Sequence, residues 1–184
     1  MRKKRNKKEI RLDEKTKSFL EKIKFDIEKE GSINKKDINY LTGGWLEEYG
    51  YNLVRGYIQL DDDKIGLNVH ISHDKTQNEF DVMFIHENIL YVIECKTALK
   101  DGEKNLLNDT LYKLSALKKD FGLNAEGYLF TLDDKLRDSK GEIKKDYENR
   151  SKLLGVTLVD RAILSDREEL NKIFDRIKGD VKNV

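Results

Sequence analysis

Residues 90–99, LYVIECKTAL, begin as a buried strand and end as something else. Tyr91, Val92 and Ile93 are the aromatic and β-branched residues that fill the middle of a sheet, yet Glu94 and Lys96 follow without a break. Side chains alternate faces along a strand, so Glu94 and Lys96 share one face and Cys95 takes the other. A carboxylate and an ammonium facing one way from a central strand are costly to bury unless something pairs with them. They belong at a strand end or beside an open crevice, which in open α/β sheets is where ligands bind.

Just upstream, residues 78–85 read NEFDVMFI, where Phe80, Val82 and Phe84 alternate with Glu79, Asp81 and Met83. The short break HEN (86–88) makes this run and residues 90–97 an antiparallel hairpin, which brings Asp81 close to Glu94. Two carboxylates within a few ångströms repel unless they share a proton or a cation. Hard divalent cations such as Mg²⁺ and Mn²⁺ take carboxylate, carbonyl and water oxygens, and the carbonyl of Cys95 lies between Glu94 and Lys96. A metal held by Asp81 and Glu94 would lower the pKa of a bound water and neutralise a phosphate, while Lys96 would orient that water or stabilise developing negative charge. The chemistry implied is phosphodiester hydrolysis. Glu47 is a candidate third carboxylate, reaching the same cation or a second one through water.

The rest of the chain supplies a setting. Leu12, Phe19, Leu20, Ile23 and Ile27 predict an amphipathic helix over 12–30 ended by Gly31, and 32–41 suits a further short helix. TGGWLEEYGYNLV (42–54) starts afresh, with the glycines ahead of a helix whose apolar stripe holds Trp45, Leu46, Tyr49 and Leu53, Trp45 serving as a core anchor. From 57 the period becomes that of strands: YIQL, IGLNVHI, EFDVMFI and LYVIECK. A helix over 105–121, a strand AEGYLFTL, a helix over 141–154, a strand GVTLVD and a helix over 166–177 complete the order. Alternating strands and helices at this end suggest parallel pairing, so the fold class is α/β with a mixed sheet flanked by helices.

Composition suits one ordinary domain: 184 residues, 38% apolar, 39% charged, no proline and one cysteine. Nothing marks an internal boundary except near residue 40, giving a basic arm and helical extension over 1–40 and a main domain over 41–184. No apolar run approaches the roughly 20 residues of a bilayer span, so no membrane partner is expected, and with a single cysteine the chain reads as cytoplasmic. The net charge of +1 hides an asymmetry. MRKKRNKKEIR carries seven Lys/Arg and one Glu, leaving 29 basic against 34 acidic residues elsewhere. Such a tail can hold phosphates without regard to sequence, or be simply a solvated terminus. Lys100 and Lys104, in the loop leaving Lys96, are candidate nucleic-acid contacts. His70, His73 and His86 lack the thiolates and spacing of a zinc site and read as surface or substrate-side residues.

Asp81, then Glu94-Cys95-Lys96 closing an apolar strand, with Glu47 on an upstream helix, resembles the PD-(D/E)XK nuclease superfamily. GGWLEEY, NEFDVMFIHENILYVIECKT, LYKLSALKKDFG and LGVTLVD resemble, more closely, the nuclease domain of CRISPR ancillary nucleases over roughly residues 40–165. The resemblance implies a restriction-endonuclease-like core and a metal-dependent endonuclease acting on DNA or RNA in a prokaryotic antiviral defence or mobile-element setting. It implies Asp81, Glu94 and Lys96 as the catalytic set with Glu47 in support, and Lys113, on the helix after the motif strand, as a phosphate contact. It further implies a homodimer. In such nucleases the domain follows a CARF domain sensing cyclic oligoadenylate. The chain is too short for one of that size, so the expectation is a nuclease that is constitutive, regulated by a partner, or a cut-down relative acting in a mobile element or a defence locus. The alternative is a non-catalytic nucleic-acid-binding or protein-interaction module on the same fold.

Overall fold

The computed structural model describes residues 10–26, 32–73, 76–101, 104–120 and 124–179, and the chain divides into two compact units, Met1–Trp45 and Leu46–Val184. In the first unit, β1 (Ile10–Arg11) pairs antiparallel with β2 (Ser32–Ile33). Helix α1 (Glu14–Lys22) begins at Asp13, whose side chain accepts the Thr16 N–H. The pattern predicts a helix to residue 30, but α1 stops at Lys22. Lys24 adopts a left-handed φ of 57°, the Phe25 N–H closes onto the Leu20 carbonyl, and the Phe25 ring stacks on Tyr40 with centroids 6.1 Å apart. Gly31, the expected stop, lies outside the described residues. Helix α2 (Lys35–Asn39) opens on a capping box of Asn34 and Asp37. The TGGW glycines, expected in a break, instead lie in a π-helical turn, Tyr40–Gly44, that continues into α3 (Trp45–Ile58).

In the second unit α3 buries Leu46, Gly50, Val54 and Ile58, a four-residue repeat that keeps one face inward. YIQL, expected as a strand, is therefore the end of this helix, and Gln59 at φ 60° stops it. Trp45 stands one position round from the stripe and is 37% exposed, so it is not a core anchor.

The sheet runs β3 (Ile65–His73), β4 (Thr76–His86), β5 (Ile89–Lys96), β8 (Ala125–Thr131), β9 (Val156–Val159) in that spatial order. The first three strands are antiparallel, and β5, β8 and β9 are parallel. Glu87 and Asn88, at φ 49° and 60°, make the tight turn between β4 and β5. Between β5 and β8 come the two-residue strands β6 (Lys100–Asp101) and β7 (Lys104–Asn105), paired as a small hairpin that periodicity does not reveal, and α4 (Leu106–Asp120). Helix α5 (Lys145–Leu154) starts four residues later than expected because Arg137 bridges Ile143 ahead of it. After β9, Asp160 caps the short α6 (Arg161–Ser165) and Asp166 caps α7 (Arg167–Ile177).

Strand alternation sorts the core into two layers. Val82, Phe84, Tyr91, Ile93, Cys95 and Phe130 pack with α3 and α7. Phe80, Met83, Val92 and Leu129 pack with Leu107, Leu111, Leu114 and Leu117 of α4. Phe80 and Val82 are two apart and should share a face, but they lie in opposite layers. On β3 the same switch separates Ile65 from Val69 and Ile71, with Asn68 between them at φ 52°. The β3–β4 ribbon thus turns over at Asn68 and Asp81, and these two residues are the gap in an otherwise continuous register.

Glycine substitutions test the packing. A Cβ on Gly66 would lie 2.6 Å from Val69 Cγ2, a stiff β-branched side chain, so Gly66→Ala is expected to cost about 1–3 kcal/mol in guanidinium unfolding. A Cβ on Gly50 would meet Cys95 Sγ at 3.4 Å and Phe130 Cδ2 at 3.5 Å, ordinary contacts. Gly50→Ala is expected to be tolerated, gaining up to about 1 kcal/mol from helix propensity.

Candidate active site

The strands part at the site. The β4–β5 ladder ends with Val82 opposite Ile93, while β5 stays paired to β8 as far as Lys96 opposite Thr131. β5 leaves β4 but stays paired to β8 at the C-terminal end of the parallel strands, and the first residues past the last β4–β5 pair are Asp81 and Glu94. The predicted facing of Glu94 away from Cys95 is observed: Cys95 packs in the α3 layer, and Glu94 is held by Lys113 of α4.

Both carboxylates are largely removed from water, Asp81 at 7% and Glu94 at 5% exposure. Lys96 compensates them. Its Nζ donates to Glu94 Oε1 at 2.8 Å, to Asp81 Oδ2 at 3.3 Å and to the Cys95 carbonyl at 3.1 Å. These are three of the four groups that the sequence nominates as ligands of a cation, Glu47 being the fourth. Asp81 Oδ2 also accepts the Cys95 N–H at 2.6 Å, which ties the end of β4 to the main chain of β5 where the ladder has stopped. Glu94 Oε2 accepts from Lys113 Nζ at 2.8 Å, so each oxygen of Glu94 has its own ammonium.

Glu47 projects from the first turn of α3 and is half-buried. Its carboxyl is pushed above the usual range by burial and by the charge of Asp81, an effect Lys96 partly offsets. It therefore feels the cluster, yet among the described residues no three His, Cys, Asp or Glu side chains come together as a metal-holding group, and Glu47 does not complete a three-carboxylate set. Lys113 reaches the site through Glu94. The side chains of Lys100 and Lys104 lie outside the described residues, as does the arm over residues 1–9. His70 is on the exposed part of β3, 3.9 Å from Glu79.

The electrostatics follow from burial. Asp81 is pushed above the ordinary carboxylate range by desolvation and by Glu94, against the pull of Lys96 and the Cys95 N–H. Burial alone would lower Lys96, but Glu94 and Asp81 outweigh it and hold the ammonium above its usual value. The Cys95 thiol is raised by burial and is no nucleophile at neutral pH. The oxygen donors fit a hard divalent cation: two carboxylates and a carbonyl already converge on one positive charge. A concavity of about 500 Å³, lined by Arg137, Glu142, Glu148 and Glu169 among others, shares no residue with this cluster. Its acidic rim disfavours phosphates.

The chain belongs to the family of Card1-like endonuclease domains, whose family model matches residues 34–166. Among solved structures it is similar to protein VC1899 from Vibrio cholerae, with 26% identity and a TM-score of 0.66 over 96% of this chain and 48% of that one. It also shares the fold of Can2 from Sulfobacillus thermosulfidooxidans, solved in complex with cyclic tetra-adenylate. There the identity is 23% and the TM-score 0.62, over 91% of this chain and 47% of that one. The chain spans about half the length of these two proteins. No curated protein sequence matches it. The mixed sheet flanked by helices meets the α/β expectation, and among the described residues no helix is long and apolar enough to cross a membrane.

The raised Asp81 gives a pH-dependent prediction. A carboxyl whose folded pKa exceeds its unfolded one contributes stability in acid and loses it as pH rises through the folded value. Ionised Asp81 is then a net cost at neutral pH. In EDTA, Asp81→Asn, which keeps an acceptor for the Cys95 N–H, should melt at or above the wild-type Tm at pH 7.5. The difference should shrink as pH falls through the carboxylate range, as followed by circular dichroism.

Proposed function

We propose that this Card1-like endonuclease domain hydrolyses phosphodiester bonds in nucleic acid, using Mg²⁺ or Mn²⁺ held by Asp81, Glu94 and the backbone carbonyl of Cys95. The observation that carries the reading is the convergence of three oxygens from β4 and β5 on the Lys96 ammonium. A point that holds one cation by oxygen atoms, where two strands part, is suited to hold another. Bound there, the ion would acidify a water, neutralise charge on the scissile phosphate and take over the compensation that Lys96 gives the carboxylates.

The chain's own residues do the rest. Asp81 is fixed by the Cys95 N–H, so its carboxylate needs no reorganisation to act as a ligand. The Lys96 side chain, 30% exposed, carries three donors. Turned from the carboxylates toward solvent, it donates to the attacking water or to a phosphate oxygen where negative charge develops. Glu47, with its weakened acidity, orients water at the rim through a hydrogen bond. The basic arm, with Lys100 and Lys104, adds affinity for phosphates that is independent of sequence. A second copy of the chain and a regulatory partner complete the proposal. Can2 was solved in complex with cyclic tetra-adenylate, which makes a cyclic nucleotide a candidate for the regulating molecule.

The test is incubation of the purified chain with plasmid, single-stranded DNA and RNA, with and without Mn²⁺. Cleavage of at least one substrate that depends on Mn²⁺ is expected, with Lys96→Ala slower by about 100-fold or more. Glu94→Ala should be cut down as far while still binding the substrate. Wild type and Lys96→Ala behaving alike would overturn the reading.

A further inference from the structure

Past the Val82–Ile93 pair no ladder joins β4 to β5, yet Asp81 and Glu94 must be kept in one place. Lys113 stands across that gap. From α4 its Nζ donates to Glu94 Oε2 on β5 at 2.8 Å and to the Glu79 carbonyl on β4 at 2.9 Å, and it lies 5.7 Å from the centre of the Phe80 ring. Two of its three donors are thus committed to protein acceptors on two strands. Glu79 and Phe80 immediately precede the point where β4 turns over to present Asp81. A lysine that reads phosphate backbone keeps its ammonium in solvent, whereas this side chain is 35% exposed and tethered to both strands.

We propose that Lys113 is a positioning residue for the reaction and not a phosphate contact: it pins Glu94 Oε2, leaving Oε1 alone to face the cation position, and fastens β4 to β5 where their ladder has ended. The inference rests on the nuclease reading above. It predicts that Lys113 governs turnover and not nucleic-acid affinity, because groups that orient a ligand carboxylate change rate or metal affinity by about 10–100-fold when removed.

The experiment compares the full chain with its Lys113→Met and Lys113→Arg variants in two assays. The first is binding of a fluorescent oligonucleotide in EDTA across a salt series. The second is steady-state cleavage with Mn²⁺. Lys113→Met should bind with the wild-type dissociation constant and salt slope, keep KM within about twofold, and lose about 10–100-fold in kcat. Lys113→Arg, which keeps donors for both acceptors, should stay within about threefold of wild type. If Lys113→Met does not fold by circular dichroism, Lys113→Gln carries the same comparison. Weaker binding in EDTA with a salt slope reduced by about one would mark a phosphate contact and overturn the proposal. So would an unchanged kcat in Lys113→Met, or a loss in Lys113→Arg as large as in Lys113→Met. A wild type inactive on every substrate with Mn²⁺ would instead remove the nuclease reading, and this inference with it.

Discussion

Two carboxylates buried side by side, with one ammonium between them, set the terms for the rest of this domain. Asp81 and Glu94 have lost nearly all their water, and like charges in that condition repel strongly. Lys96 makes the arrangement tolerable by donating to both, and the Cys95 N–H adds a fixed dipole on Asp81. Compensation of this kind is seldom a source of stability, since desolvation offsets most of the attraction. The weakened acidity of Asp81 is the trace of that imbalance. The fold carries the imbalance because the two apolar layers on either side of the sheet are extensive and the charges are confined to the place where two strands separate.

That separation is what turns a sheet into a site. Were β4 and β5 paired to their ends, Asp81 and Glu94 would be neighbours on a closed ladder, with no room for a ligand between them. Because β5 keeps β8 and leaves β4, the Cys95 N–H is free to donate to the Asp81 side chain, and the Cys95 carbonyl to accept from Lys96. The turn-over of the β3–β4 ribbon at Asn68 and Asp81 belongs to the same event. It sends Phe80 into the α4 layer and Val82 into the α3 layer, and it points the carboxylate between them toward β5. Helix α3 then brings Glu47 within electrostatic reach from one layer, and α4 brings Lys113 from the other.

How much of this was legible in the sequence depended on the range of the interaction. The β5 run and the HEN turn are local patterns, and they gave the hairpin, the facing of Glu94 and Lys96, and the proximity of Asp81. The parallel strands followed from alternation with helices. What escaped was set by tertiary contacts. The helix α1 ends early because Phe25 turns to meet Tyr40. YIQL looks like a strand by composition, yet Ile58 continues the inward repeat of Leu46, Gly50 and Val54. Helical spacing puts Trp45 on the apolar stripe with Tyr49, whereas the buried repeat begins one residue later, at Leu46. The strand turn-over has no signature beyond an Asn at position 68, a residue type that tolerates left-handed φ. Lys113 was legible as a residue near the site through family resemblance alone. Its attachment to Glu94 and to the Glu79 carbonyl depends on how α4 crosses the sheet, which no spacing records.

The account stands on the oxygen cradle now filled by Lys96 being a site for a divalent cation. The most direct measurement is a crystal structure of the chain grown with millimolar Mn²⁺, with the metal located by its anomalous scattering. One ion is predicted about 2.1 Å from an oxygen of each of Asp81 and Glu94 and from the Cys95 carbonyl, with the Lys96 ammonium displaced from between the carboxylates. Lys96 still bridging Asp81 and Glu94, with no anomalous peak at that position, would contradict it.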